Sequence, residues 1–294
     1  MKELKFQCTL LSDVILNTKS ATSGPNQTLD FIPGSNFLGI VASELYPKYT
    51  NDTINEATTL FHSGKVRFGD AHPSKGNFRG LKVPAAMYYP KLSKPSEELY
   101  INHRIPSREK NKELAQELAS KQLKQCRSGF YDFSGTANSP ATATIAQVIK
   151  TDTNFAVKSA YDRSTRRSKD EQLFGYQSLQ KGLDMYFSVE IADNVANPEE
   201  IAEKISKALV GKRRIGRSRT AQYGLVEIQK ADFNEVKSQE PLTTPEGKLV
   251  TVYADSRLIF LDEYGMPTFQ PTAEQLNLNG DVLWDKSQIR TFRY

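Results

Sequence analysis

The sequence predicts an α+β protein: a ferredoxin-like (RRM-like) β-α-β-β-α-β domain with a large insertion, followed by the start of a second, incomplete unit. Three observations carry this expectation. The opening residues alternate apolar and polar side chains, as a half-buried strand does. Two later segments place apolar residues at helical spacing. Strand-like runs flank each of them, in the order strand, helix, strand, insertion, strand, helix, strand.

Residues 4–16 supply the first strand, and a polar loop follows. Pro33-Gly34 marks a turn, Ser35 and Asn36 are N-cap candidates, and Phe37, Ile40, Val41 and Leu45 recur at helical spacing. Residues 65–70, "KVRFGD", read as a short second strand. Between about 71 and 140 the pattern breaks up into prolines and aromatics, with one amphipathic helix expected over residues 107–126. Strands return at residues 142–149 and 183–193. The next helix has Asn197 as its cap, Pro198 at the first helical position, Glu199 and Glu200 at its positive end, and Gly211 as its stop. Ile201, Ile205, Ala208 and Leu209 form its buried stripe, and residues 223–232 form the closing strand. The expected division is a domain over 1–233, a polar linker over 234–247, and a second unit beginning at 248 and running to 294.

A charged fraction of 25% and a hydrophobic fraction of 38% over 294 residues describe a folded chain and exclude a disordered one. No apolar run approaches the ~20 residues that span a bilayer, and the opening segment carries Asp13, unlike a signal peptide. A cytoplasmic protein with no membrane association is expected. Cys8 and Cys126 are the only cysteines and belong to no Cys-x-x-Cys pattern, so neither a zinc site nor a disulfide framework is expected. The histidines, His62, His72 and His103, read as structural, and the acids Asp13, Asp30, Asp70 and Asp162 are scattered. No Ser/His/Asp or Cys/His grouping emerges. Accordingly no catalytic residue, metal or cofactor is expected.

The stretch "VGKRRIGRSRTAQYGLVEI", residues 210–228, is the strongest functional signal. Cations after a helix suit its macrodipole, but that accounts for only one or two of them. Lys212, Arg213, Arg214, Arg217 and Arg219 lie within eight residues, and a polyanion is what such a cluster ordinarily neutralises. Gly211, Gly216 and Gly224 permit positive φ and close backbone approach, and arginine presents a planar fork to phosphate. The spacing excludes a mononucleotide phosphate loop, since the glycines precede a strand and no G-x-x-x-x-G-K-[ST] occurs. The stretch fits a nucleic-acid backbone cradle.

That loop resembles the glycine-rich loop of the RAMP superfamily, the RNA-binding subunits of CRISPR effector complexes. "LLSDVILNTKSATSGPNQTLDFIPGSNFLGIVASELY" is similar to the family's first strand, loop and IPG-headed helix, and "VRFGDAHPSKG" to the strand that follows. "YDRSTRRSKDEQLFGYQSLQKGLDMYFSVEI" resembles the family's variable loop leading into a strand. The overall likeness is greatest to the large RAMP subunit of type III-D systems, at the position capping the 5′ end of the guide RNA. "VYADSRLIFLDEYGMPT" and "KSQIRTFRY" are similar to the region after that subunit's first domain, which makes the second unit RAMP-like and incomplete.

The resemblance implies a non-catalytic scaffold in antiviral defence that binds the guide RNA's 5′ handle and docks the large subunit and backbone RAMP subunits. It places Lys212, Arg213, Arg214, Arg217 and Arg219 on handle phosphates, with Gly216 and Gly224 allowing close approach and Ser218 donating a hydroxyl hydrogen bond. Tyr223 is either a base-stacking ring or a packed strand-edge aromatic. Gly34, Ser35 and Asn36 head a helix, where either a phosphate or ordinary capping fits. Arg163, Arg166 and Arg167 fall where relatives carry a projecting hairpin, or thumb, that presses into the guide–target duplex; a solvated charged face is the alternative. Leu173 and Phe174 are expected in the core. The competing enzymatic reading is an endoribonuclease that processes precursor guide RNA, with His72 or His103 as base; Asp30 is the candidate for metal-dependent target cleavage. A third reading is a protein-only adaptor.

Overall fold

The computed structural model describes the chain except residues 19–26, 86, 93, 95–100, 103–121, 133–146, 221, 237–240, 246, 257, 286 and 288–294. Two compact units emerge, one from Met1–Gly80 with Ile149–Asn234 and one from Leu81–Val148 with Glu235–Phe292.

The first unit is built on strand β1, Lys2–Leu10. Its period of two sends Leu4, Phe6, Cys8 and Leu10 to one face and Glu3, Lys5, Gln7 and Thr9 to the other. Helix α1 spans Gly34–Leu45 and α2 spans Ile54–Phe61. Strands β2, Val66–Phe68, β3, His72–Lys75, and β4, Phe78–Arg79, follow. After the second unit's first segment come β5, Thr153–Asp162, β6, Arg167–Leu179, and β7, Asp184–Ile191. Helix α3, Pro198–Leu209, and strands β8, Gly211–Arg214, and β9, Leu225–Lys230, complete the unit.

Sheet order is β8-β9-β1-β7-β3-β4, with β2 also paired to β7, and β1, β7, β9 and β2 are mutually antiparallel where they meet. Without the edge additions this is the 4-1-3-2 order of a ferredoxin-like fold. The sequence-based fold class therefore holds. Phe6, Cys8, Met185, Phe187, Val189, Val226 and Ile228 form one apolar face, which α1 and α3 cover with Phe37, Val41, Ile201, Ile205 and Leu209. Phe37 stacks on Phe187 at 3.7 Å and 5° between ring planes.

Several boundaries differ from expectation for local reasons. The first strand ends at Leu10 instead of residue 16, because Leu11 and Ser12 turn toward Leu225 before Val14 and Ile15 resume bridging. The second strand does not stop at Asp70. Val66–Phe68 pairs with Val189–Ile191 and His72–Pro73 with Met185–Tyr186, so Gly69, Asp70 and Ala71 oppose only Phe187 and Ser188. This bulge turns the Asp70 carboxylate toward α1, where Oδ1 accepts the Gly34 N–H at 2.7 Å.

Neither Ser35 nor Asn36 is the N-cap. The helix starts at Gly34, and Asn36 lies inside it with its amide donating to the Pro33 carbonyl. Asp70 supplies the acceptor instead, from 36 residues away in sequence. Removing it in Asp70→Ala orphans a buried N–H, a loss of about 1–3 kcal/mol. Thermal denaturation then shows Tm lowered by several degrees, whereas an unchanged Tm contradicts this capping role.

Pro198 occupies the first turn of α3 with Glu199 and Glu200, as expected, and Lys2 pairs with Glu199. Asn197, at φ 51°, makes no capping side-chain bond. Lys204 on α3 contacts Glu56 of α2 at 2.7 Å and Glu200 at 2.8 Å, while the Tyr49 hydroxyl donates to Glu56. Burial alone raises a carboxylate's pKa, but the hydrogen bonds from Lys204 and Tyr49 outweigh it and hold Glu56 below its usual range. Burial and the bond to Glu56 push the Tyr49 phenol up to about 12. Glu56 therefore stabilises the fold above its unfolded pKa, and that contribution fades as pH falls through the lowered folded value. Tyr49 contributes below its unfolded pKa, and this is lost as pH rises toward about 12. Both partners are about a third exposed, so the brace is worth about 1 kcal/mol or less. The Tm gap between wild type and Lys204→Met is expected to stay constant from about pH 5 to 9 and to shrink below about pH 4. A gap independent of pH throughout contradicts this.

In the second unit, Leu81–Lys82 pairs with Phe130–Asp132, and Met87–Pro90 pairs with both Ile101–Asn102 and Leu123–Gln125. Val83, Tyr89, Cys126 and Tyr131 form its small core. Residues 71–80, expected in the insertion, thus continue the main sheet, and residues expected to be insertion, linker and second unit cluster together. Most of the helix expected over 107–126 lies outside the described residues, but its end is strand at Leu123–Gln125. Of the strand expected over 142–149, Gln147–Ile149 is described. A strand pair, Leu242–Thr244 with Gly247–Leu249, crosses the expected boundary between linker and second unit, and Phe260–Leu261 pairs with Pro267–Thr268.

Candidate nucleic-acid interface

The helix-free side of the main sheet is where an RRM-like fold presents aromatics to bases. Here it is partly closed by the chain itself. Phe233 is 3% exposed and stacks on Tyr186 of β7 at 4.9 Å, the Lys5 ammonium lies 4.7 Å from the Phe233 ring centre, and Lys5 donates to the Phe233 carbonyl. The available basic surface lies instead where β1 ends.

Residues 12–15 run between two elements there. On one side, the Arg217 N–H donates to Ile15 O at 2.9 Å and the Gly224 N–H to Asp13 O at 2.8 Å. On the other, Val14 and Leu179 exchange both main-chain bonds, which fixes the base of the β5–β6 hairpin. Gly216 (φ 73°) and Gly224 (φ 80°) adopt the left-handed backbone expected of them. The close approach they permit is to the chain itself: a Cβ at Gly216 would overlap Ile15 O, and one at Gly224 would overlap Ile215 O.

The five cations divide sharply. Lys212, Arg213 and Arg214 are not loop residues but form edge strand β8, in register with Glu227, Val226 and Leu225. Arg213 turns to the helix side and donates to Ala208 O at 2.7 Å and Lys207 O at 3.4 Å, so it caps α3. Arg214 donates to Arg219 O at 2.6 Å and closes the loop on itself. Arg217 lies over the Tyr176 ring of β6, with 5.4 Å from guanidinium to ring centre, yet remains exposed. Lys212 and Arg219 are exposed and have no side-chain partner among the described residues. Ser218 is exposed in a left-handed turn at φ 54°. Tyr223 is 8% exposed, with Lys158 5.0 Å from its ring centre. It is therefore the packed aromatic of the two readings, not a ring offered to a base.

Residues 163–166 turn between β5 and β6, and Arg163, Arg166 and Arg167 are exposed at or beside that tip. The hairpin anticipated from the resemblance is thus present as a pair of long strands. Leu173 and Phe174 lie on β6, but their side chains are outside the described residues. Asn154 Nδ2 and Ser178 Oγ donate to Asp13 Oδ2 at 2.8 and 3.1 Å, and Lys181 N donates to Oδ1 at 3.0 Å. Lys158 donates to Gln222, a second tie between hairpin and loop. Asp13, Lys158 and Tyr176 went unrecognised in the sequence, because their roles depend on a hairpin that closes only in three dimensions.

Gly34 is buried, its N–H is bonded to Asp70, and a Cβ there would overlap Phe68 O. Ser35 is exposed and Asn36 half-buried. Main-chain bridges Ile32–Ala71, Leu29–Leu16 and Arg217–Ile15 link the IPG turn to the glycine-rich loop in steps, without direct pairing of the two.

His72 is 2% exposed, with Nδ1 3.0 Å from Gly80 O. His62 ends α2, in edge contact with Tyr46 and Phe61. His103 lies outside the described residues. Asp30 is half-buried in the loop before α1. Cys8 and Cys126 are both buried thiols outside any disulfide, and burial, with Asp184 nearby, holds the Cys8 thiol well above its ordinary pKa. Among the described residues no cluster of His, Cys, Asp or Glu could hold a metal, and no helix is long and apolar enough to cross a membrane.

No protein-family model and no curated protein matches the chain. Among solved structures it is similar to a chain of the type III-B Cmr-beta complex in its apo state, at 13% identity and TM-score 0.43, over 78% of this chain and 97% of that one. It is also similar to oligomeric Cmr4 from Pyrococcus furiosus, at 11% identity and TM-score 0.35, over 78% and 98% of the respective chains. A chain of a type IV-B CRISPR complex gives 11% identity and TM-score 0.33, over 83% and 96%. At such values no assignment of fold or residue role rests on these likenesses.

Proposed function

We propose that the chain is a RAMP-type RNA-binding scaffold subunit of a type III CRISPR ribonucleoprotein that holds the 5′ handle of the guide RNA without cleaving it. The observation that carries this reading is the sorting of the cations. Arg213 and the exposed Arg214 are committed to carbonyls of their own chain, whereas Lys212, Arg217 and Arg219, exposed on β8 and the glycine-rich loop, hold no carbonyl among the described residues. The arginine-rich tip of the neighbouring hairpin adds Arg163, Arg166 and Arg167. Exposed cations on adjoining elements suit a phosphate backbone, which extends along its binder. The family resemblance of the sequence supplies the CRISPR context, the handle, and docking to the large and backbone subunits. Ser35 and Asn36 remain accessible to an RNA, but the Gly34 amide is already bonded.

The non-catalytic character is supported by His72, whose own imidazole is buried and bonded to Gly80 O instead of being presented to a 2′-hydroxyl. Metal-free incubation with repeat RNA is expected to leave it uncut; cleavage abolished by His72→Ala or His103→Ala overturns the scaffold reading in favour of processing. Affinity for single-stranded RNA is expected to fall steeply with salt. If the protein instead keeps a protein partner after RNase treatment and shows no salt-dependent RNA affinity, it is a protein-only adaptor.

A further inference from the structure

We infer that Asp13 is a positioning residue that locks the arginine-tipped hairpin to the glycine-rich loop, so that the two basic surfaces act as one RNA clamp. The inference rests on the RNA-binding reading for its consequence but not for its geometry. Residues 12–15 lie between the two elements, and Asp13 is bonded to both. Its carbonyl accepts the Gly224 N–H at the end of the loop, at 2.8 Å. Its carboxylate faces the hairpin base, where Asn154 is the second residue of β5, Ser178 the last but one of β6, and Lys181 lies in the turn that follows. Three donors on two oxygens fix that carboxylate in one orientation, and they come from both strands of the hairpin and from the turn that follows it. Apart from Asp13, the hairpin base is held by the Val14–Leu179 main-chain pair and by Gln177 Oε1, which accepts the Thr28 N–H; neither reaches the glycine-rich loop, so the hairpin keeps freedom to swing about its base. The Asp13 carboxylate removes that freedom by tying both strand ends to the residue that carries the loop.

Further ties among the described residues lie farther along the arm and use side chains: Lys158 with Gln222 and the Tyr223 ring, and Arg217 with the Tyr176 ring. These contacts form when the hairpin leans against the loop. The carboxylate at the base determines how often it does so. The spacing of the tip arginines from Arg217 and Arg219 is therefore set by Asp13, although Asp13 touches no RNA.

Paired spin labels at Thr165→Cys on the tip and Thr220→Cys in the loop test the geometry directly, since Cys8 and Cys126 are buried. A narrow distance distribution is expected, broadened in Asp13→Ala and again in Asn154→Ala with Ser178→Ala, which breaks the joint from the hairpin side. Unchanged width in both variants overturns the inference, whatever the protein binds.

RNA affinity tests the consequence. Arg163→Ala with Arg167→Ala weakens binding in the wild-type background. In the Asp13→Ala background the same pair is expected to change affinity by less than about twofold, because the tip no longer acts with the loop. Fully additive losses overturn the inference. Absence of any salt-dependent RNA binding by the wild type overturns the functional reading, while the spin-label result still decides the role of Asp13.

Discussion

Replacing Lys212, Arg217 and Arg219 together by alanine is expected to reduce affinity for single-stranded RNA at least about tenfold near 0.1 M salt, with Tm unchanged. Among the described residues none of the three side chains holds a backbone carbonyl, and all are exposed, so the fold loses little. Each phosphate contact adds about 0.7 to the slope of log affinity against log salt for a single strand, so the slope should become shallower by about 2. Replacing Arg213 and Arg214 instead should act mainly on stability, because their guanidinium groups satisfy carbonyls of α3 and of the loop. The contrast between the two variants is the informative part. If the first leaves the salt slope unchanged, the exposed cations are a solvated face and the cradle is elsewhere.

Gly216→Ala and Gly224→Ala are expected to be the most damaging single substitutions near the site. Both glycines have left-handed backbones, and at each the added methyl would meet a carbonyl oxygen of the chain. The conformational cost alone is about 1–2 kcal/mol, and the overlap adds to it. A loss of about 2 kcal/mol or more lowers Tm by roughly 4–8 °C for a domain of this size. Thermal melting of the two variants checks this. Were Tm preserved while RNA affinity disappeared, the space above these glycines would belong to the ligand and not to Ile15 and Ile215.

The fold was legible where a strand or helix carries its own period. The alternation of β1 and β7 and the buried stripe of α3 could be read directly, and together they fix the 4-1-3-2 order once each crossover is a helix. What stayed hidden depends on pairs distant in sequence. Asp70 reads as the acid ending a strand, and only the bulge shows that it caps α1. Lys212 to Arg214 read as the start of a basic loop, since a four-residue edge strand of one glycine and three cations lacks an apolar signature and exists because β9 offers it a free edge. The cation cluster was visible as a cluster, but its division into members that bond carbonyls of the chain and members that do not was hidden. That division depends on where α3 ends, which brings its last carbonyls to Arg213, and on the return of the loop, which brings Arg219 O to Arg214. Phe233 gave no signal at all, because its place over Tyr186 is set by the path of the chain after β9.

The central claim is that the exposed cations hold a guide RNA by its 5′ end. Sequencing the RNA that copurifies with the full chain, expressed beside its genomic neighbours, tests it most directly. Short RNAs that share one fixed 5′ sequence, lost when Lys212, Arg217 and Arg219 are replaced by alanine, are the predicted result. RNA with random 5′ ends, or none, contradicts it.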